Sequence, residues 1–76
     1  MKKYQVIRGH GSYLIGESDT LRGAKIIATK NSFFYTNFEG LCKPDIYLSK
    51  DIDENRRPLP FAEPVAIWNS WIERWV

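Results

Sequence analysis

Cysteine and histidine are almost missing from this 76-residue chain, which has one of each, Cys42 and His10. A single thiol forms no internal disulfide, so packing alone must hold the fold, and a reducing cytoplasm suits such a chain. Structural zinc recruits several Cys or His ligands, so no metal is expected. Long hydrophobic runs are missing too. Apolar stretches last only a few residues, and Met1-Lys2-Lys3 leads into alternation rather than a signal core, so neither secretion nor a membrane span is expected. Nor does charge of one sign dominate: the net charge is +2, with six Lys/Arg against two acids in residues 1–38 and five against seven in residues 39–76. That asymmetry suffices to orient a partner. It falls short of a dedicated nucleic-acid binder and has the wrong sign for an acidic DNA mimic.

Motifs that name a reaction are also lacking. Gly9-x-Gly11 has no third glycine and sits between two strand-like runs, and no Gly-x-x-x-x-Gly-Lys segment occurs, so phosphate-cradling loops and their cofactors are unsupported. Asp51-Ile52-Asp53-Glu54 invites a calcium reading. An EF-hand starting at Asp51 needs glycine where Arg56 stands and glutamate where Ala62 stands, so the acids read as a solvated loop that Arg56 and Arg57 can neutralise. Cys42 and His10 have no third group to orient them as nucleophile and base, and no Gly-x-Ser-x-Gly elbow is present. An enzyme is not expected.

What the chain does have is core material for one small domain spanning residues 1–76: 43% hydrophobic and 14% aromatic residues, with 26% charged. Lys2 to Arg8 alternates, with Tyr4 and Val6 on one face and Gln5 and Ile7 on the other, as suits a strand exposed on at least one side. Tyr13 to Glu17 reads likewise. The intervening Gly9-His10-Gly11-Ser12 tolerates positive φ, so the two runs predict an antiparallel hairpin. Ser18, Asp19 and Thr20 are candidate N-caps for a helix over about residues 20–30, whose Leu21, Ala24 and Ala28 share a buried face with Ile27 at its edge. Gly23 weakens that helix by up to about 1 kcal/mol relative to alanine. Phe33 to Phe38 is dense in aromatics and part of it reads as strand, while Asp45 to Ser49 alternates and extends the hairpin sheet. Lys50 to Glu63, with its prolines, reads as an ordered surface loop.

The last thirteen residues, Pro64 to Val76, place Ile67, Trp68, Trp71, Ile72 and Trp75 at helical spacing, with Val65 and Val76 on the same half of the cylinder. Ala66, Asn69, Ser70, Glu73 and Arg74 fill the other half, and Pro64 after Glu63 suits a helix start. This predicts an amphipathic helix that buries all three tryptophans. The architecture expected is therefore α+β: a small antiparallel sheet of three to four strands packed against two helices, in the order β-β-α-β-α.

One position on the first helix departs from that economy. Ile26 projects almost opposite the buried face, among Arg22, Lys25, Thr29 and Lys30. The tryptophan segment shows only Arg74 as a cation on its polar side, too little for a membrane-surface helix. The basic half also combines Lys2, Lys3, Arg8, Arg22, Lys25 and Lys30 with Tyr4, Tyr13, Phe33, Phe34 and Tyr35, which makes a nucleic-acid-binding module the rival reading. Lys30-Asn31-Ser32-Phe33-Phe34-Tyr35 does not match the ribonucleoprotein signature.

The hairpin followed by Ala24-Lys25-Ile26-Ile27-Ala28-Thr29-Lys30 resembles the strand-strand-helix opening of small phage and mobile-element inhibitor proteins of the anti-CRISPR type. One such inhibitor of type I-F CRISPR surveillance complexes carries a similar Ala-Lys-x-Ile-Ala-Ser-Lys run, over little more than the first 35 residues of this chain. There the x position tends to be polar, whereas here it is Ile26, and the tryptophan-rich end departs from the pattern. The resemblance implies a non-enzymatic inhibitor that occupies a functional surface of a host nucleoprotein. The expected function is a small cytoplasmic binding or inhibitory protein that contacts its protein or nucleoprotein partner through Arg22, Lys25, Ile26 and Lys30.

Overall fold

The computed structural model describes residues 1–8, 13–34 and 40–76. Strands β1 (Tyr4–Arg8) and β2 (Tyr13–Ser18) pair antiparallel, helix α1 (Leu21–Lys30) follows, and β3 (Asp45–Leu48) returns antiparallel to the other edge of β1, giving the sheet order β2-β1-β3. Two short strands, β4 (Trp68–Asn69) and β5 (Arg74–Trp75), then form a separate antiparallel pair. The fold is α+β, with α1 the one α-helix among the described residues. The turn expected at Gly9-His10-Gly11-Ser12 and the part of the aromatic run from Tyr35 to Phe38 lie outside the described residues.

The register explains which side chains face the helix. Val6 lies opposite Gly16 and Ile46, and Tyr4 opposite Ser18 and Leu48, so these positions share one face of the pleated sheet. Between Val6 and Ile7 the register shifts, leaving Ile15 as an extra residue in β2 that packs against the core. That core joins Val6, Ile46, Ala24, Ala28 and Ala66, flanked by Tyr4, Leu21, Ile27 and Trp75. Alanines on the buried side of α1 let its backbone approach closely, and Gly16 completes the fit: a Cβ there would stand 3.2 Å from Cγ2 of Ile27.

α1 begins as its sequence predicts. Of the three candidate caps, Thr20 is used, its Oγ1 accepting from the Gly23 N–H at 3.0 Å, while Ser18 Oγ accepts from Thr20 N at 3.3 Å. Gly23 has a positive reason to be glycine, since a Cβ would collide with the Ser18 hydroxyl and press on the cap oxygen. At the other end the Asn31 amide donates to the Ile27 carbonyl at 2.8 Å, closing the last turn.

β1 is not exposed on either side, contrary to its sequence reading. Gln5, Val6 and Ile7 are all fully buried, because β1 is the central strand and its second face is covered as well. The segment after β3 reaches that face: Arg56 pairs with Glu17 at 3.7 Å, and Glu17 in turn accepts from Gln5 Nε2 at 2.9 Å. The Gln5 amide therefore sits in the interior with its Nε2 satisfied by Glu17 and by the Lys2 carbonyl at 2.7 Å. Arg56 serves this pair, while the acids expected to need it act locally. Asp53 Oδ1 accepts from the backbone N–H of Asn55 and Arg57, and the Asp53–Arg57 and Leu59–Asp51 backbone bonds, each 2.8 Å, order the loop.

The second helix does not form, and the burial of all three tryptophans fails with it. Val65 N donates to the Ile46 carbonyl at 2.7 Å and Ile46 N to the Ala66 carbonyl at 3.1 Å, so the segment leaves the loop extended along β3. Ile67 and Val76 then exchange two backbone bonds, continuing the β4–β5 ladder. At period two the assignment of faces changes. Ala66, Trp68 and Trp75 turn inward, whereas Val65, Ile67 and Val76 turn out. Trp71 is 83% exposed in the turn. That turn is built by Asn69, whose Oδ1 accepts from the N–H of Trp71 at 2.9 Å and of Ile72 at 3.3 Å, and by Glu73 at φ 52°. β-Branched Val65, Ile67, Ile72 and Val76 and the three indoles favour extended backbone, which a helix of this length does not overcome without continuous docking.

Candidate functional site

The outer surface of α1 follows from its inner one. With Ala24 and Ala28 against the sheet, residues Arg22, Lys25, Ile26, Thr29 and Lys30 fall on the other side of the cylinder and line one open depression of about 310 Å³. Ile26 is 47% exposed within it. All four residues singled out from sequence are thus brought together, and Thr29 joins them. The walls of the depression are almost wholly carbon although four of its five residues are polar or charged. The aliphatic stems of the arginine and lysines make the walls, and their charged heads stand at the rim.

Beside this face lies a group that the sequence did not place there. Lys43 Nζ donates to Thr29 Oγ1 at 3.2 Å and sits 3.7 Å from the Trp68 ring centroid and 5.9 Å from that of Trp75. Lys25 Nζ approaches Trp75 from α1, also at 5.9 Å. The two indoles meet edge to face, with centroids 5.7 Å apart and planes at 72°. Lys43 therefore links the helix to the tryptophan hairpin through one hydrogen bond and a cation over an indole. Lys43 lies fourteen positions from Thr29 and twenty-five from Trp68, so no local spacing could have signalled the cluster.

The electrostatics of the face are one-sided. α1 contains no acidic residue, and among the described residues the single ion pair, Arg56 with Glu17, lies on the far side of the sheet. Glu17 is held below the usual carboxylate range by the Gln5 amide first, with help from the Lys2 N–H, the amino terminus and Arg56 against the opposing effect of burial. Asp45 moves the other way, its carboxyl raised by burial at the start of β3. Neither group faces the α1 depression.

The other rings read as nucleic-acid platforms divide between the core and the Arg8 end of β1. Tyr4 packs at the core with Lys3 Nζ 5.4 Å from its centroid. Arg8 lies 4.2 Å over Phe33, which is tied by backbone bonds to Cys42, and Tyr13 and Phe34 are 64% and 69% exposed nearby in the chain. Tyr35 is outside the described residues. Cys42 is half-buried, and its backbone makes the bridge to Phe33. Among the described residues no three His, Cys, Asp or Glu side chains gather to hold a metal ion, and no helix is long and apolar enough to cross a membrane. Comparison with protein-family models, with curated proteins and with solved structures finds no match.

Proposed function

We propose that this chain is a small non-enzymatic binding protein that acts in the cytoplasm by occupying a functional surface of a larger protein or nucleoprotein partner. Arg22, Lys25, Ile26 and Lys30 make the contact. The observation that carries this reading is Ile26, half out of the fold in a carbon-walled depression ringed by cations that no carboxylate neutralises among the described residues. The likeness of Ala24 to Lys30 to the helix of phage and mobile-element inhibitors agrees with action by occupancy. Ile26→Asp provides the test. The side chain is outside the core, so the melting temperature should stay nearly constant, while a partner captured from the native host and retained after nuclease treatment should bind about tenfold or more weakly. Undiminished binding would remove this face from consideration.

Direct nucleic-acid binding is the second reading, and a different surface favours it: the exposed rings of Tyr13 and Phe34 near the Arg8–Phe33 stack. It predicts retention of arbitrary oligonucleotides that falls steeply with ionic strength. Phe34→Ala should then weaken retention and Ile26→Asp should not.

A further inference from the structure

We infer that the α1 face receives an acidic polypeptide segment, one apolar side chain of which covers Ile26 while flanking carboxylates meet Arg22, Lys25 and Lys30. This rests on the binding reading above and adds the chemistry of what is bound. Charge complementarity gives the sign. Three cations of α1 stand at one rim, Lys43 is hydrogen-bonded to Thr29 beside them, and α1 supplies no carboxylate of its own. A partner that approaches must bring the negative charge. The depression also limits size: about 310 Å³, open to solvent, with Ile26 at its centre, it suits one or two side chains rather than an enclosed small molecule.

The same geometry favours polypeptide over nucleic acid here. A phosphate backbone would satisfy the cations but leave Ile26 against charge and water, and single strands are held by stacking bases on free ring faces. The indoles nearest this face are engaged already: Trp75 meets Trp68 edge to face, and Lys43 lies over Trp68 at 3.7 Å. A carboxylate-flanked leucine, isoleucine or phenylalanine satisfies both the rim and the centre, burying the lysine stems along with Ile26.

Parallel selections on the immobilised full chain test this, one from random linear peptides and one from random single-stranded oligonucleotides, at physiological salt. Enriched peptides should place Asp or Glu around a large apolar residue, and their affinity should fall about tenfold for Ile26→Asp at unchanged melting temperature. Lys30→Glu should weaken them too, and binding should return when an acid of the peptide is replaced by lysine. Peptides without acidic bias, peptides indifferent to both substitutions, or no enrichment at all would overturn the inference. So would oligonucleotides whose binding needs Lys25 and Lys30. None of these results would alter the effect of Ile26→Asp on a natural partner, so failure of this chemistry and failure of the binding role are told apart.

Discussion

Helix α1 and the tryptophan hairpin both pack at the core around Ile46, yet they hold to the sheet by different means. α1 presents fully buried alanines, has its first turn capped by Thr20 and its last by Asn31, and contacts all three strands of the sheet. The hairpin brings Ala66 and one face of Trp75 to the core and is otherwise attached by the Val65–Ala66 pairing with Ile46 and by Lys43. Its outward side keeps Val65, Ile67 and Val76 in water. Small side chains give α1 a broad contact with many weak parts. Large ones give the hairpin a few concentrated contacts, each of which matters more to it than to the rest of the molecule.

Ile46→Ala should weaken both at once, since this side chain is buried in one cluster with Ala24 and Ala28 of α1 and with Ala66 of the hairpin segment. The expected loss is about 2–5 kcal/mol, read from denaturant midpoints, enough to unfold a domain of this size. Loss of the hairpin alone, with α1 intact, would mean that the two regions do not share this support.

Trp75→Ala should separate the regions. We expect a loss of about 2 kcal/mol, with amide protection falling in residues 65–76 and persisting in β1 and α1. Lys43→Ala should act in the same direction by about 0.5–1 kcal/mol through the cation over Trp68. Uniform loss of protection across the chain would show one cooperative unit instead of two unequal ones.

Acid should act on the sheet through Glu17. The Glu17 carboxyl lies below its ordinary value of 4.5 in the folded chain, so the stability it contributes is complete above that pH and is lost as pH falls through its lowered folded value. Asp45, raised above its ordinary 3.8 by burial, has the opposite sign and gains as pH falls. Glu17→Gln should therefore flatten the acid limb of a stability-against-pH curve. An unchanged limb would assign acid loss to other groups.

The smallest effect is the sharpest on architecture. Trp71→Ala should change stability by no more than about 0.5 kcal/mol, and iodide should quench Trp71 more readily than Trp68 or Trp75. A loss of several kcal/mol would restore a buried amphipathic helix and overturn the hairpin.

Where the sequence reading holds, the signals are local. The β1–β2 pairing, the caps of α1, its Ala24–Ala28 face and the outward Ile26 each depend on residues within a few positions of one another. The C-terminal segment was not legible in this way because its apolar set fits two periods: Trp68, Trp71, Ile72 and Trp75 match a helix, while Val65–Ile67 and Ala66–Trp68 match a strand. Ala66 shows the cost of choosing wrongly, placed on the polar side by one period and buried to 3% exposure by the other. Lys43 was invisible for a different reason, since its partners Thr29, Trp68 and Trp75 are brought to it only by the fold.

The sequence by itself determined a small α+β chain with an antiparallel hairpin, a capped helix and an isoleucine among cations on that helix's outer side. Tertiary structure decided the rest. The exposed carbonyl and N–H of Ile46 on the edge of β3 took Val65 and Ala66 as their partners, and that pairing turned a segment with two competing periods into a strand. Crossing the segment after β3 over the second face of β1 likewise buried Gln5 and Ile7, whose alternation alone leaves one side open. In both cases local preference was nearly balanced, and a backbone pairing or a covering layer supplied from elsewhere in the chain set the outcome.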